Sequence, residues 1–184
     1  MTTKGDEMRF FAALFVMVFS ATFTSGAGEP RSLIEWRFDD ASSARWAQHA
    51  NQCKDIRIEE GILKGVTAGD DPFLTSPAFS IKATAHQTVS FKARYGSSGK
   101  GELFWVPEGA SGPSQKWSVA FDWIGDGEWH EYHVRPFWQG EKRIGALRLD
   151  FVNRKPDVVF EIDEIRIIEG PAAEPHTREA SWSG

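Results

Sequence analysis

The segment DGEWHEYHVRPFW, residues 126–138, concentrates imidazole, carboxylate, indole and guanidinium groups within thirteen positions. Such groups make metal sites and acid–base pairs, and Trp rings beside Arg also make sugar-binding surfaces. A zinc protease motif places two His four residues apart on a helix, whereas His130 and His133 are three apart in a segment that alternates like a strand. On a strand these two rings point to opposite faces, which argues against a shared metal. Glu131 and His133 remain as a same-face pair.

The segment FEIDEI, residues 160–165, offers a second pair of carboxylates, Glu161 and Asp163. Alternate strand residues share a face, and a retaining glycosidase needs two carboxyls about 5–5.5 Å apart. Laminarinase-like glycoside hydrolases carry one more acid in such a strand, but Ile165 or Arg166 stands there in this chain. We interpret the pair as structural or calcium-binding. A small glycan-active hydrolase or lyase is the alternative, with acids drawn from Glu131, Asp150, Glu161 and Asp163.

Aromatic and charged side chains suggest a third chemistry, because sugars stack on rings and bond to guanidinium and carboxylate groups. Trp138 follows Pro136 in a predicted loop, so we expect it to be the most exposed ring. Arg94 and Arg148 lie opposite the apolar positions of their strands, as does Lys92, and are predicted to line a groove on one sheet. A ladder of solvated ion pairs is the alternative. The predicted carbohydrate-binding residues are Arg94, Trp105, Trp123, Arg135, Trp138, Arg148 and Asp150.

Two-residue alternation dominates the chain after its N-terminal segment, and helical periodicity is nearly absent. Strands are predicted at 33–38, 88–95, 102–107, 116–123, 128–134, 144–152 and 158–169, with a hairpin over 56–66. The last strand is expected to change register at Asp163-Glu164. Pro72 and Pro77 predict an unpaired loop over 69–77, and a short helix is predicted within 41–48. About nine or ten short strands indicate an all-β fold, an antiparallel two-sheet β-sandwich of the jelly-roll type.

The N-terminal sequence has the layout of a secretory signal peptide, with Arg9, an apolar run and small residues before Gly28. We therefore predict a signal peptide over 1–27, a β-sandwich domain over 28–170 and a disordered tail over 171–184. The protein is expected to be secreted or periplasmic, with no membrane span after cleavage. A net charge of −5 argues against nucleic acid as a partner.

Several stretches taken in order resemble the carbohydrate-binding-module-like, galactose-binding-like jelly rolls of secreted bacterial proteins. They are WRFDD, DPFLTSPAF, KARY, LFWV, GDGEWHEYHV, LRLDF and EIDEIRI. The resemblance implies a jelly roll and, in many such modules, a structural Ca²⁺ between the end of the first strand and an acid of the last. Asp39 and Asp163 match those two positions.

These observations favour a non-catalytic module that binds a polysaccharide or another glycan. The hydrolase or lyase remains one alternative, so the sequence leaves catalysis open. A structural or adhesion module without sugar binding is the other.

Overall fold

The computed structural model describes residues 29–171. Over that range the chain forms short antiparallel strands with one brief α-helix and one 3-10 turn. The elements are β1 (Arg31–Trp36), α1 (Arg45–Gln48), β2 (Ala50–Asn51), β3 (Cys53–Glu59), β4 (Ile62–Thr67), β5 (Phe73–Thr75), β6 (Ile81–Lys82), β7 (Gln87–Tyr95), β8 (Gly99–Pro107), the 3-10 turn (Gln115–Trp117), β9 (Ser118–Trp123), β10 (Trp129–Val134), β11 (Arg143–Asp150) and β12 (Val159–Glu169).

The strands form two six-stranded sheets. The first sheet has the order β10-β7-β12-β4-β3, with β1 also paired to β12. The second sheet has the order β2-β5-β11-β8-β9, with β6 also paired to β11. Each sheet turns its apolar side chains toward the other, so the predicted all-β, antiparallel two-sheet sandwich is confirmed.

Alternation along β7 shows how the sequence builds this arrangement. Val89, Phe91, Ala93 and Tyr95 are each 1% exposed or less and face the core. Lys92 and Arg94 lie between them and face outward. Successive strand residues point to opposite faces. Burial of the four apolar residues in the core therefore places Lys92 and Arg94 on the outer face.

Aromatic rings occupy much of the space between the sheets. The Trp123 ring centroid lies 4.9 Å from that of Tyr95, 5.1 Å from Tyr132 and 5.6 Å from Phe151. Such pairs each contribute about 0.5–1.5 kcal/mol beyond the area they bury. Five of the seven Trp residues in the described range are buried in this core: Trp36, Trp46, Trp105, Trp123 and Trp138.

A bulge interrupts β12 at the predicted position. Ile162 pairs with Ala93 and Glu164 with the preceding residue of β7, which leaves Asp163 as the extra residue. On its other side, β12 pairs with β4 up to Ile162 and with β1 from Ile165 onward. Asp163 and Glu164 consequently both lie on the outer side of the strand, where they line the same pocket.

The predicted hairpin is confirmed as β3 and β4, joined by Glu60 and Gly61 with φ of 53° and 74°. A two-residue loop with positive φ at both positions matches the twist of the flanking strands. The predicted helix within 41–48 is also found, as α1.

The expectation of an unpaired loop over 69–77 is wrong. Phe73–Thr75 forms β5, which pairs with both β11 and β2. The two prolines flank this strand rather than interrupting it, and the Pro72 carbonyl accepts a hydrogen bond from the backbone N–H of Phe151.

The predicted signal peptide over 1–27 lies outside the described residues, as does the predicted tail after residue 171. Within residues 29–171 no helix is both long and apolar enough to cross a bilayer.

Candidate functional site

The seven predicted binding residues do not lie together. Arg94 is on the outer face of the first sheet, whereas Arg148 and Asp150 belong to β11 in the second sheet. Arg135 follows β10 and donates a hydrogen bond to the carbonyl of Ala85. The expected groove on one sheet is therefore wrong, because alternation predicts the face of each strand and not the sheet to which the strand belongs.

The three predicted Trp residues are in the core. Trp105 is 3% exposed, Trp123 is 2% exposed and Trp138 is fully buried. The Trp138 indole N–H donates to Oε1 of Gln87 at 2.6 Å, and its ring packs edge-on against Trp105. The expectation that Trp138 is exposed is wrong, since this hydrogen bond and packing draw it under the loop. Its neighbour Phe137 is 65% exposed instead.

Trp129 is the half-buried ring on the outer face of the first sheet. Its centroid lies 5.2 Å from Cζ of Arg94 and 5.3 Å from Nζ of Lys92, both on the neighbouring β7. Cations at such distances are attracted to the ring's π-face. Trp129 is not among the predicted binding residues. Strand alternation could have identified it, because Tyr132 and Val134 face the core and Trp129 therefore faces outward.

Five outward residues lie in one register row across five strands of this sheet. Trp129 pairs with Arg94, Arg94 with Glu161, Glu161 with Lys64, and Lys64 with Arg57. Adjacent strands are about 4.8 Å apart, so the row is about 19 Å long. We call these five residues the Trp129 row.

Ion pairs hold the charged members of the Trp129 row in place. Arg94 donates two hydrogen bonds to Oε2 of Glu161, one of them from Nε at 2.7 Å. Lys64 lies 4.0 Å from Oε1 of Glu161 and 3.1 Å from Glu59, which also accepts from Arg57. The hydrogen bond from Lys64 is the chief cause that lowers the pKa of Glu59. The row thus presents fixed donors and acceptors beside one aromatic ring.

A recess opens next to Arg94 and Glu161. It has a volume of about 210 Å³ and is also lined by Gly96, Gly127 and Val159. Neither glycine adds a side chain there, and Val159 is 57% exposed. The recess therefore offers backbone and one apolar group to a ligand that lies along the row.

A larger pocket, of about 560 Å³, lies at the β12 bulge. Asp39 and Asp163, the predicted calcium ligands, both line it, and the Arg37 carbonyl approaches Gly61 in the same wall. Lys92 also lines it and binds Oδ2 of Asp163 at 2.6 Å. Carboxylate and carbonyl oxygens suit Ca²⁺, but the ammonium opposes it.

In the described part of the chain, no three His, Cys, Asp or Glu side chains converge to hold a metal. Calcium binding therefore stays a prediction.

The outer face of the second sheet has a different construction. The Arg148 guanidinium lies 3.7 Å from the Phe73 ring centroid and 4.9 Å from that of Phe104. It donates to both oxygens of Asp150, at 2.7 and 2.5 Å, and to Asp71 at 3.3 Å. Burial raises the pKa of Asp150 to about 6 even though Arg148 opposes that shift.

The two histidines of the 126–138 segment diverge as the alternation predicts. His130 Nε2 lies 2.9 Å from Oδ1 of Asp126, while His133 Nε2 lies 3.7 Å from Glu131 across the outer face. The hydrogen bond from the Glu128 backbone, followed by that from His130, lowers the pKa of Asp126. Each ring has a local acidic partner, so the pair does not form one site.

No protein-family model matches the sequence, and no curated protein matches it. Solved structures with a similar fold include a family 29 carbohydrate-binding module (9% identity, TM-score 0.46), which covers 66% of this chain and 75% of that one. Another is the C-terminal family 6 module of the marine laminarinase LamC from Zobellia galactanivorans, at 10% identity and TM-score 0.47, over 74% and 98% of the two chains. A third is the low-affinity xylan-binding module CBM86 from Roseburia intestinalis, at 16% identity and TM-score 0.43, over 66% and 88%.

These structures belong to the class of module that the sequence resembles. With identities and TM-scores this low, they carry no argument about what this chain binds. The ligand is therefore inferred from the surface residues of this chain alone.

Proposed function

We propose that this protein is a secreted or periplasmic, non-catalytic β-sandwich module that binds a glycan along the Trp129 row. The location rests on the signal-like sequence over residues 1–27. The observation that carries the binding proposal is the alignment of an accessible Trp with four charged side chains in one line across five strands.

The chemistry of the row matches the two kinds of surface that a sugar presents. The indole of Trp129 offers a flat apolar face to C–H groups, and Arg94 and Glu161 offer a donor fork and an acceptor to hydroxyls. Because ion pairs already hold these groups, little side-chain entropy is lost when a ligand binds. The Trp129 row is about 19 Å long, which suits an extended oligosaccharide rather than a single sugar.

Titration calorimetry with a panel of soluble polysaccharides and their oligosaccharides tests this proposal. We expect Trp129→Ala to weaken binding at least about tenfold for short and long ligands alike. Phe137→Ala is the matched control, because Phe137 is an exposed ring at the opposite end of β10. Thermal melts of both variants establish that they are folded.

Ligand length sharpens the test. Arg57 is at the far end of the row, so we expect Arg57→Ala to weaken binding of long oligosaccharides and to leave short ones unchanged. An equal loss of affinity for short and long ligands in Arg57→Ala, or no loss in Trp129→Ala, would mean that the ligand binds elsewhere. An absence of binding across the whole panel would favour the structural or adhesion alternative.

The hydrolase or lyase alternative has less support from the placement of its acids. Glu131, Glu161 and Asp163 lie on the first sheet, each in an ion pair. Asp150 has the raised pKa that a general acid needs, but it is on the other sheet, and both of its oxygens accept from Arg148. Release of reducing ends from any polysaccharide of the panel would overturn the non-catalytic proposal.

A further inference from the structure

A separate pocket of about 360 Å³ lies at one end of the sandwich, away from the Trp129 row. It is formed where β1 begins, β12 ends and β6 pairs with the start of β11. Its lining combines three cations, Arg31, Lys82 and Arg143, with the apolar side chains of Leu33 and Ile81 and one carboxylate, that of Glu169.

Lys82 and Arg143 lie directly opposite each other in the β6–β11 pair. Like charges in that position destabilise an antiparallel pair unless an anion compensates them. Arg143 is partly compensated by Glu108 at 3.3 Å and is held by hydrogen bonds to Ser80. Lys82 makes no ion pair with any residue of the described range.

Arg31 has an acidic residue opposite it, yet forms no ion pair within the described part of the chain. Its register partner is Glu169. The two Glu169 oxygens instead accept from the Thr84 hydroxyl at 2.6 Å and from Nε2 of Gln87 at 2.7 Å. Neutral donors therefore bind this carboxylate, and the positive charge of Arg31 stays available.

The wall of the pocket is rigid. Gln87 is 1% exposed, and its Oε1 accepts from the Trp138 indole and from the backbone N–H of Thr84. Its Nε2 also donates to the carbonyl of Lys82. These bonds fix the backbone of the segment that carries Lys82 relative to the core, so Lys82 is held at the edge of the pocket.

We propose that this pocket binds the anionic group of an acidic glycan, a carboxylate or a sulfate ester. Guanidinium and ammonium groups supply charge-assisted hydrogen bonds to such oxygens. Leu33, which is partly exposed, offers an apolar contact to the ring that bears the anion. The glycan identity of the ligand rests on the function proposed above, whereas the affinity of the pocket for anions does not.

Small anions test the pocket independently of any polymer. Sodium glucuronate and sodium sulfate are titrated separately into ¹⁵N-labelled protein at constant ionic strength, with sodium chloride as the compensating salt. We expect saturable shifts at Lys82 and at the Gln87 side-chain amide, with glucose producing none. The probe that binds more tightly identifies the anion as carboxylate or sulfate.

Charge-neutralising variants locate the effect. Lys82→Gln and Arg31→Gln are each expected to weaken the saturable binding about tenfold. Lys155→Gln is the matched control, because Lys155 is an exposed lysine near Thr67, at the other end of the sandwich. Shifts that are absent, that do not saturate, or that saturate with unchanged affinity in Lys82→Gln would overturn the proposal.

Polysaccharide binding separates this inference from the proposed function. Lys82→Gln is expected to reduce affinity for uronate-containing or sulfated polysaccharides and to leave neutral ones unchanged, whereas Trp129→Ala reduces both. If Lys82→Gln leaves the acidic polysaccharides unaffected, the pocket takes no part in glycan binding and only the Trp129 row is supported. If no polysaccharide binds, the proposed function fails, and the small-anion titration alone decides whether the pocket is an anion site.

Discussion

The two outer faces of the sandwich both carry Arg–carboxylate pairs, but they place them in different environments. On the first sheet Lys92 and Asp163 form a solvated pair, 50% and 38% exposed, while in the neighbouring Arg94–Glu161 pair the carboxylate is 13% exposed. On the second sheet Arg148 is 18% exposed and Asp150 is 7% exposed, with Phe73 and Phe104 packed against the guanidinium. The Lys92–Asp163 ion pair is therefore solvated, whereas the Arg148–Asp150 ion pair is desolvated.

This difference separates an ion pair that contributes little to stability from one that holds the fold. A solvated pair such as Lys92–Asp163 contributes little to the free energy of unfolding. A desolvated pair is costly to break, because the remaining charge is left buried. We therefore assign a structural role to Arg148 and Asp150, and this role leaves the first sheet as the face on which ligand binding is proposed.

The largest expected effect is the loss of the buried guanidinium. Arg148→Ala leaves Asp150 without either hydrogen bond and should lower the free energy of unfolding by about 3–5 kcal/mol. Lys92→Ala, the matched change on the other face, should lower it far less, because the Lys92–Asp163 pair is solvated. Urea denaturation measures both, and equal losses would remove the distinction between the two faces.

The pH dependence of stability gives the next effect. Because the folded-state pKa of Asp150 is raised from 3.8 to about 6, the folded protein binds more protons than the unfolded chain between those values. Its contribution to the free energy of unfolding is fully present below about pH 4 and is lost as the pH rises through 6, by about 3 kcal/mol in all.

Asp150→Asn should abolish this term. The stability difference between wild type and variant, measured from pH 4 to pH 7, isolates Asp150 from Glu35 and Glu59 of the first sheet, whose lowered pKa values act in the opposite direction. A constant difference across that range would contradict the buried character of Asp150.

Calcium binding would distinguish the two sheets, because its predicted ligands, Asp39 and Asp163, line a pocket on the first sheet. If Ca²⁺ binds between Asp39 and Asp163, a concentration one hundred times Kd raises the free energy of unfolding by about 2.7 kcal/mol. The rise in Tm should disappear in Asp39→Ala and Asp163→Ala and persist in Asp71→Ala, which alters the second sheet. An unchanged Tm in wild type would contradict the calcium prediction.

The smallest effect is the coupling within a solvated pair. A double-mutant cycle on Lys92 and Asp163 should give a small coupling energy, and added salt should reduce it further. The same cycle on Arg148 and Asp150 should give a larger coupling that salt changes little. A salt-insensitive Lys92–Asp163 coupling would mean that the first sheet is less solvated than its exposure indicates.

The sequence predicts those parts of the molecule that depend on local alternation. The faces of β7, β9 and β10 follow from a two-residue period, and the bulge at Asp163 appears as a break in that period. The hairpin follows from the two turn residues, since few others adopt its geometry.

Partners that are distant in sequence could not be predicted in this way. Trp138 is buried because Gln87, fifty-one residues earlier, accepts its N–H. Arg94 and Arg148 have the same local pattern, but strand pairing assigns them to different sheets. The Trp129 row likewise depends on the register of five strands. Alternation predicts that Arg94 faces outward, but it cannot predict which residues of the other strands lie beside Arg94.

The bulge in β12 has a consequence for how this domain could be altered by insertion or deletion. Without Asp163 the strand would read Phe160, Glu161, Ile162, Glu164, Ile165, an uninterrupted alternation with each apolar residue still on its present side. One residue can thus be removed from the centre of the sheet without inverting the strand. Asp163 is thus an extra residue that the hydrophobic alternation of β12 does not require. The outer surface can lose this residue while the core sequence stays the same.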